Sequence, residues 1–344
     1  MIGRQMRAPD FWTSGGVAAT ALAPIAAIWG LLAGTRMRRR PSVLAPVPVI
    51  AVGNFTAGGA GKTPTTATLV GLARRAGFSP AVMTRGYGGD LAGPVRVDAS
   101  RHGADEVGDE ALLHAALAPT IVARDRTAGL ALLAECGADL VILDDGFQNP
   151  TLAKDLSLVV VDRGHGIGNG RVMPAGPLRA PLAVQLDLAS ALVVVDSGEA
   201  EAPGLAALLA EADRRRLPVL SARLVLEAPE RLAGRRVLAW AGIGRPEKFA
   251  ATLAAAGVDV VELVAFGDHQ RLEPADAEDL LARAEARGLD LVTTEKDVAR
   301  LAGRMEPALM RLALAVRVAS VDLVFDDEAA VSALIAELHR PARR

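Results

Sequence analysis

Two rhythms alternate along this chain. Short apolar runs bounded by glycine or an acid recur over residues 49–52, 81–84, 120–122, 140–143, 158–161 and 191–195, the pattern of strands buried on both faces. Between several of them apolar residues return every three or four positions, as over 64–76, 111–117 and 128–136, the pattern of a helix with one buried face. Strands alternating with helices predict a parallel sheet covered on both sides.

The alternation pauses and then restarts. Residues 217–225 read as extended, and Glu227-Ala228-Pro229 as a joint. Strands are then expected over 236–240, 259–265, 289–293 and 312–316, helices over 247–256 and 274–287, and a last helix near 328–338. The fold class is α/β, with a larger parallel-sheet domain over 41–226 and a second, smaller α/β domain over 227–344.

Residues 1–40 stand apart. From Gly15 to Gly34 no residue is charged, and Arg36, Arg38, Arg39 and Arg40 follow at once. A cleaved signal peptide carries its basic residues before the apolar run, not after it. Pro24 interrupts the run, and Ala and Gly add little hydrophobicity. A single span and a soluble docking helix are the alternatives to the reading adopted, a helix over 24–38 lying in a membrane interface. Ile25, Ile28, Trp29, Leu31 and Leu32 would enter the lipid and the arginines would meet anionic headgroups.

Composition adds bounds rather than chemistry. With 344 residues there is room for two cores, and with only 3% aromatics those cores are built from Leu, Val and Ala. A net charge of -2 gives no reason to expect a nucleic-acid partner. The single cysteine, Cys136, cannot form an internal disulfide, which fits a reducing compartment.

The chemistry begins after the first predicted strand. Thr56-Ala57-Gly58-Gly59-Ala60-Gly61-Lys62-Thr63 joins that strand to a predicted helix. Small residues there let backbone N–H groups turn toward phosphate oxygens, and the helix adds its positive end. Lys62 would reach the β- and γ-phosphates of ATP, and Thr63 would offer its hydroxyl to Mg²⁺. The strict pattern has glycine where Thr56 stands. A P-loop-type domain is therefore expected, with a site for ATP and Mg²⁺.

Other segments end strands in reactive residues. Asp144 and Asp145 follow the run 140–143, where a metal-side acid partners a phosphate loop; the plainer reading is a turn made by Asp and Gly. Asp109 and Glu110 open a helix after Gly108, where either acid complements the helix dipole, or Asp109 takes the proton of an attacking hydroxyl. Arg85, Asn169, Arg171 and Arg179 lie in glycine-rich loops and are candidates for substrate phosphate, although a single such arginine is more often a solvated charge. His269 follows Asp268 in a turn. Thr293-Thr294-Glu295-Lys296-Asp297 also ends a strand, and its plain reading is a charged helix start.

Taken in this order the motifs resemble one family, the tetraacyldisaccharide 4'-kinases of lipid A synthesis. The resemblance runs from about Val47 to Asp297 and rests on Val52-Gly53-Asn54 before the phosphate loop, Thr84-Arg85-Gly86-Tyr87-Gly88, Val107-Gly108-Asp109-Glu110, Asp144-Asp145-Gly146-Phe147-Gln148, Asn169-Gly170-Arg171, residues 174–179, Gly242-Ile243-Gly244, residues 266–269 and residues 293–297. It implies transfer of the ATP γ-phosphoryl group to the 4'-hydroxyl of a tetraacylated disaccharide 1-phosphate, giving lipid IVA. It implies Asp109 as base paired with His269, acids at Asp144 and Asp145 serving the metal, two α/β domains with a cleft between them, and an N-terminal helix at the membrane. Two positions depart from the family pattern. Ala180 stands where an acid commonly follows Arg179, and Gln270 stands where a second histidine commonly follows His269.

The expected protein is thus a lipid-sugar kinase at the cytoplasmic face of the inner membrane. Its partners are an acylated disaccharide and an anionic membrane surface, and the chain is expected as a monomer. The competing reading is a membrane-associated ATPase switch of the partitioning type, which shares G-G-x-G-K-T but carries a lysine where this chain has Ala57. An ATP-dependent ligase is a third.

Overall fold

The computed structural model of the chain describes residues 9–196, 198–268 and 270–339. The larger unit is built on nine strands: β1 (Val49–Asn54), β2 (Pro80–Thr84), β3 (Val95–Arg96), β4 (Thr120–Val122), β5 (Leu140–Leu143), β6 (Leu156–Asp162), β7 (Ala191–Asp196), β8 (Val219–Leu226) and, from much later in the chain, β13 (Val321–Phe325). Their order is β13-β8-β7-β6-β1-β5-β2-β4-β3. The strands from β8 to β4 are parallel, and β3 and β13 close the two edges antiparallel. β1, β5 and β6 are buried along their whole length, as their predominantly apolar composition requires.

The smaller unit is a sheet of β9 (Arg236–Ala241), β10 (Asp259–Ala265), β11 (Asp290–Thr294) and β12 (Arg317–Ala319) in the order β10-β9-β11-β12, all parallel. The expected α/β fold with a large parallel sheet and a second sheet forms. The chain leaves the large sheet after β8 and returns to it as β13, and Glu227 N–H donates to Ser320 C=O (2.9 Å) where the two connections pass each other. The helix that follows, Glu328–Ala336, buries Val331 and Ile335 in the same core as Leu69 and Leu72 of the helix Lys62–Arg75.

One element differs in kind. Residues 312–316 are expected as a strand, but 312–315 end the helix Pro307–Ala315 and Val316 is its C-cap. Leu-Ala-Leu-Ala-Val alternates with period two, yet Ala308, Leu309 and Leu312 fall on one helical face, all buried, and Pro307 suits a first helical turn.

The N-terminal segment is packed onto the body. In the helix Ala23–Met37, Ala26, Gly30, Gly34 and Met37 face inward, where a Cβ on Gly34 would touch Val184 at 3.4 Å and Pro181 at 3.5 Å. Ile25, Ile28, Trp29, Leu31 and Leu32 face outward, Leu31 with 71% of its surface exposed. Among the described residues no helix is long and apolar enough to cross a membrane.

Candidate active site

The site forms at the carboxyl end of the large sheet, where the chain leaving β1 runs toward β2 and the chain leaving β5 crosses to β6 on the other side of β1, leaving a crevice. Gly61 takes φ +90°, a conformation glycine adopts without steric cost, and so turns the chain into the helix Lys62–Arg75. The loop before it is braced from several directions. Asn54 Nδ2 donates to Gly58 C=O (2.9 Å), Ala57 N–H to Pro177 C=O (2.9 Å) and Arg179 N–H to Phe55 C=O (2.9 Å). Thr56 forms an isolated antiparallel bridge with Leu178 and is 5% exposed. Position 56 is thus strand-like, which explains why it tolerates a side chain where the strict motif has glycine.

Two acidic arms meet the start of this helix. From β5 comes Asp145, a non-glycine residue at φ +51°, a strained conformation held by its surroundings. Its Oδ1 lies 3.8 Å from Lys62 Nζ and accepts from Arg179 Nη1 at 3.0 Å. Arg179 Nε also donates to Thr56 C=O (3.0 Å). Burial pushes the Asp145 carboxyl up, but Lys62 and Arg179 outweigh it and hold it below its ordinary value. Gly53 makes room for this loop, since a Cβ there would lie 2.3 Å from Phe147 Cβ.

Asp144, expected beside the metal with Asp145, turns the other way. It is 1% exposed, with Oδ2 2.8 Å from His114 Nε2 and Oδ1 accepting from Thr66 Oγ1 at 3.4 Å. Arg126 Nη2 donates to its carbonyl (3.3 Å), and burial pushes that guanidinium down to about 10.

The second arm opens the helix Asp109–Leu117. Gly108, at φ +85°, precedes it, and a Cβ there would fall 2.4 Å from Tyr87 C=O, so the Arg85-Gly86-Tyr87 loop and the helix start can touch only through glycine. Thr63 Oγ1 donates to Glu110 Oε1 (2.9 Å). Asp109 is 3% exposed, and its Oδ1 accepts from the Glu110 N–H (2.8 Å).

The smaller unit reaches both acids from the helix Glu295–Leu301. Lys296 Nζ donates to the same Glu110 oxygen (2.5 Å), and Arg300 Nε donates to Asp109 Oδ2 (2.7 Å). Arg300 Nη1 is held by Asp297 Oδ1 and Gly242 C=O, each at 2.7 Å. Burial pushes Glu110 up, but Lys296 and then Lys62 overcome it and hold its carboxyl at about 2. A separate bridge lies at the end of β6, where Asp162, 2% exposed, pairs with Lys248 (2.8 Å) and Arg245 of the smaller unit.

The remaining candidates fall into two places. Arg85 stacks over the Tyr87 ring, its guanidinium carbon 5.1 Å from the centroid, in a 490 Å³ pocket shared with Gly86, Gly88, Gly89 and Arg124 at the carboxyl ends of β2 and β4. Asn169 and Arg171 instead hold the N-terminal segment. Asn169 Nδ2 donates to Phe11 C=O (2.8 Å), Arg171 Nη1 to Ala19 C=O (3.0 Å), and Trp12 Nε1 to Pro174 C=O (3.0 Å). His269 lies outside the described residues. Its neighbours Gly267 and Asp268 lie against Gly242 and Gly244, the turn that receives Arg300.

Sequence reasoning weighed Glu110 only as a dipole partner and missed Lys296, Arg300 and His114. The spacing of Lys296 and Arg300, four apart in a helix that begins where β11 ends, and the place of residues 293–297 among the family motifs were the available signals. Nothing local pairs them with residues almost two hundred positions earlier.

Residues 18–339 match the family described as tetraacyldisaccharide-1-P 4'-kinase. A tetraacyldisaccharide 4'-kinase of Methylorubrum extorquens is 54% identical over 325 residues, covering 94% of this chain and 96% of the relative. Another, of Rhodopseudomonas palustris, is 51% identical over 329 residues, covering 94% of each. The crystal structure of LpxK from Aquifex aeolicus in complex with ATP superposes with a TM-score of 0.71 at 24% identity, covering 94% of this chain and 100% of that one. At that identity it speaks for the fold.

Proposed function

The chain belongs to the tetraacyldisaccharide-1-P 4'-kinase family, and from that membership and the site geometry we infer how it works. It is a kinase of lipid A biosynthesis that phosphorylates the 4'-hydroxyl of a tetraacylated disaccharide 1-phosphate to give lipid IVA, with ATP as the donor. The observation that carries the reading is the convergence of Lys62 and Thr63, at the start of one helix, with Asp145, Glu110 and Asp109 within one crevice. Membership in a kinase family sets aside the ATPase-switch and ligase readings.

The oxygen donors present suit Mg²⁺. Thr63 and Glu110 already meet at 2.9 Å, and Asp145 stands beside Lys62. Among the described residues no three His, Cys, Asp or Glu side chains form a closed metal site. Mg²⁺ characteristically takes one or two carboxylates and completes its shell with phosphate and water. Thr63, Glu110 and Asp145 would hold it, and when bound it neutralises charge on the transferring phosphoryl group.

Phosphoryl transfer is mostly positioning and charge neutralisation. Lys62 and Arg179 direct cationic groups at the triphosphate. The acceptor oxygen forms its bond to γ-phosphorus as the bond to the bridging β,γ-oxygen breaks, and Asp109 takes the hydroxyl proton. The Glu110 N–H and Arg300 Nε fix the orientation of the Asp109 carboxylate, and a loose transition state needs placement more than basicity. His269 would pair with Asp109, supported by the position of Gly267 and Asp268 beside the turn that holds Arg300. Arg85, above its pocket, would meet substrate phosphate.

The exposed face of the helix Ala23–Met37 would rest in the anionic surface of the inner membrane, on the cytoplasmic side where ATP is available. Arg171 and Asn169 would serve the acceptor indirectly, by fixing that segment. The test is direct: γ-labelled ATP, Mg²⁺ and the tetraacyldisaccharide 1-phosphate are incubated with the pure protein. Label should enter the lipid, and Lys62→Ala should slow transfer by about 100-fold or more. ATP hydrolysis with no labelled lipid would overturn the reading.

A further inference from the structure

We propose that Lys296 and Arg300 are positioning residues of the phosphoryl-transfer site: the smaller unit sets the orientation of the two acids that the larger unit contributes. The inference rests on the kinase reading above and gives the charged helix start at 294–301 a task in it.

The geometry is specific. Lys296 and Arg300 lie four residues apart and so share one face of the helix Glu295–Leu301. They meet Asp109 and Glu110, which are adjacent at the start of the helix Asp109–Leu117. Glu110 Oε1 is shared between Thr63 Oγ1 (2.9 Å) and Lys296 Nζ (2.5 Å), so one carboxylate oxygen links the phosphate-loop threonine to the smaller unit. Arg300 is not a loose surface arginine. Its side chain is 8% exposed, and Asp297 and Gly242 C=O fix one end while Nε faces Asp109. Asp297, 0% exposed, is itself held by the Gly242 N–H (3.0 Å). A rigid fork thus transmits the position of β9 and β11 to the Asp109 carboxylate. Without the two cations, each acid could rotate away from Thr63 and from the acceptor. A misplacement of about 1 Å in such a site costs about 100-fold in rate.

The plainer role is adhesion between the units. That role is shared by a second bridge, Asp162 with Arg245 and Lys248, which touches neither acid and therefore serves as the control.

The experiment measures kcat, KM for Mg·ATP, equilibrium ATP binding and thermal unfolding for Lys296→Met, Lys296→Arg, Arg300→Lys and Arg245→Gln. Label transfer by the unaltered enzyme tests the functional reading by itself, so the two fail separately. Lys296→Met is expected to lower kcat about 100-fold with KM for Mg·ATP within about threefold, the signature of an interaction that matters in the transition state. Lys296→Arg should restore most of kcat. Arg300→Lys keeps the charge but loses the fork, and should lower kcat about tenfold even where the methionine variant fails to fold. Arg245→Gln should lower the unfolding temperature and leave kcat within about twofold. The proposal is overturned if Arg300→Lys and Lys296→Met keep kcat within about twofold, or if Arg245→Gln lowers kcat as much as they do.

Discussion

Lys62, Asp145 and Arg179 form one run of alternating charge at the phosphate loop, and Glu110, ion-paired with Lys296, accepts from the neutral Thr63 hydroxyl beside it. Both arrangements place an acid against the side chains that would handle phosphate, so each acid's charge matters to the fold as well as to the chemistry. Glu110 makes this measurable. Its carboxyl, ordinarily near 4.5, is held at about 2 because Lys296 and Lys62 outweigh its burial. A depressed carboxylate contributes stability that is complete above its ordinary value and lost as pH falls toward its folded value. Replacing one member of a mostly buried pair costs about 1–3 kcal/mol here, below the range for fully buried pairs because both side chains keep some exposure. The expected outcome is that the unaltered chain unfolds at a higher temperature than Glu110→Gln at pH 6, and that the gap closes between pH 4.5 and about 2. A gap independent of pH across that window would show that Lys296 does not stabilise the charged form. Lys62 and Thr63 were legible in the sequence because a phosphate loop is local, with all its parts within eight residues. Lys296 was not, because its partner is 186 positions away and a lysine at a helix start looks the same whether it is paired or solvated.

Among the elements, the N-terminal helix carries two faces of different character. Its inner face uses Gly30 and Gly34 to approach Pro181 and Val184, and its outer face leaves Trp29 48% and Leu32 62% exposed. Trp29→Glu with Leu32→Glu should reduce recovery on vesicles containing phosphatidylglycerol while leaving thermal unfolding unchanged, because the outer face supports no core contact. Gly34→Leu should do the reverse and lower the unfolding temperature, because Val184 and Pro181 would have to move. Unchanged vesicle recovery by the double glutamate variant would sink the interfacial reading. The outer face was legible because its five large apolar residues are uncommon among alanines and glycines. The inner face was not, since small residues make no apolar rhythm. Central strands were legible for the opposite reason, their unbroken runs of Val, Ile and Leu. Residues 312–316 misled because five residues cannot separate a period of two from one of 3.6 when the wider face is ignored.

At the scale of the whole molecule, the smaller sheet is an insertion between β8 and β13. The sequence hid this, since the restart of the alternation after residue 229 looks like a simple boundary and β13, at an exposed edge, is short. Leu323, Phe325, Val331 and Ile335, each at most 5% exposed, belong to the core of the larger unit. Burying each is worth about 1.5–3 kcal/mol, so losing all four removes an amount comparable with the net stability of a domain, about 5–15 kcal/mol. A fragment spanning residues 41–226, which contains every loop of the phosphate site, should therefore fail to unfold cooperatively in circular dichroism, and adding residues 320–339 as a separate peptide should restore part of the transition. A cooperative transition in the fragment alone would show that the returning segment is dispensable. The same topology sets an order in time. Synthesis proceeds at about 5–20 residues per second, so the apolar-faced helix near the N-terminus emerges roughly tens of seconds before the strand that completes the large sheet. The newborn chain can thus be held at a lipid surface while its catalytic core is still open along one edge, and the enzyme would finish folding at the place where its substrate is found.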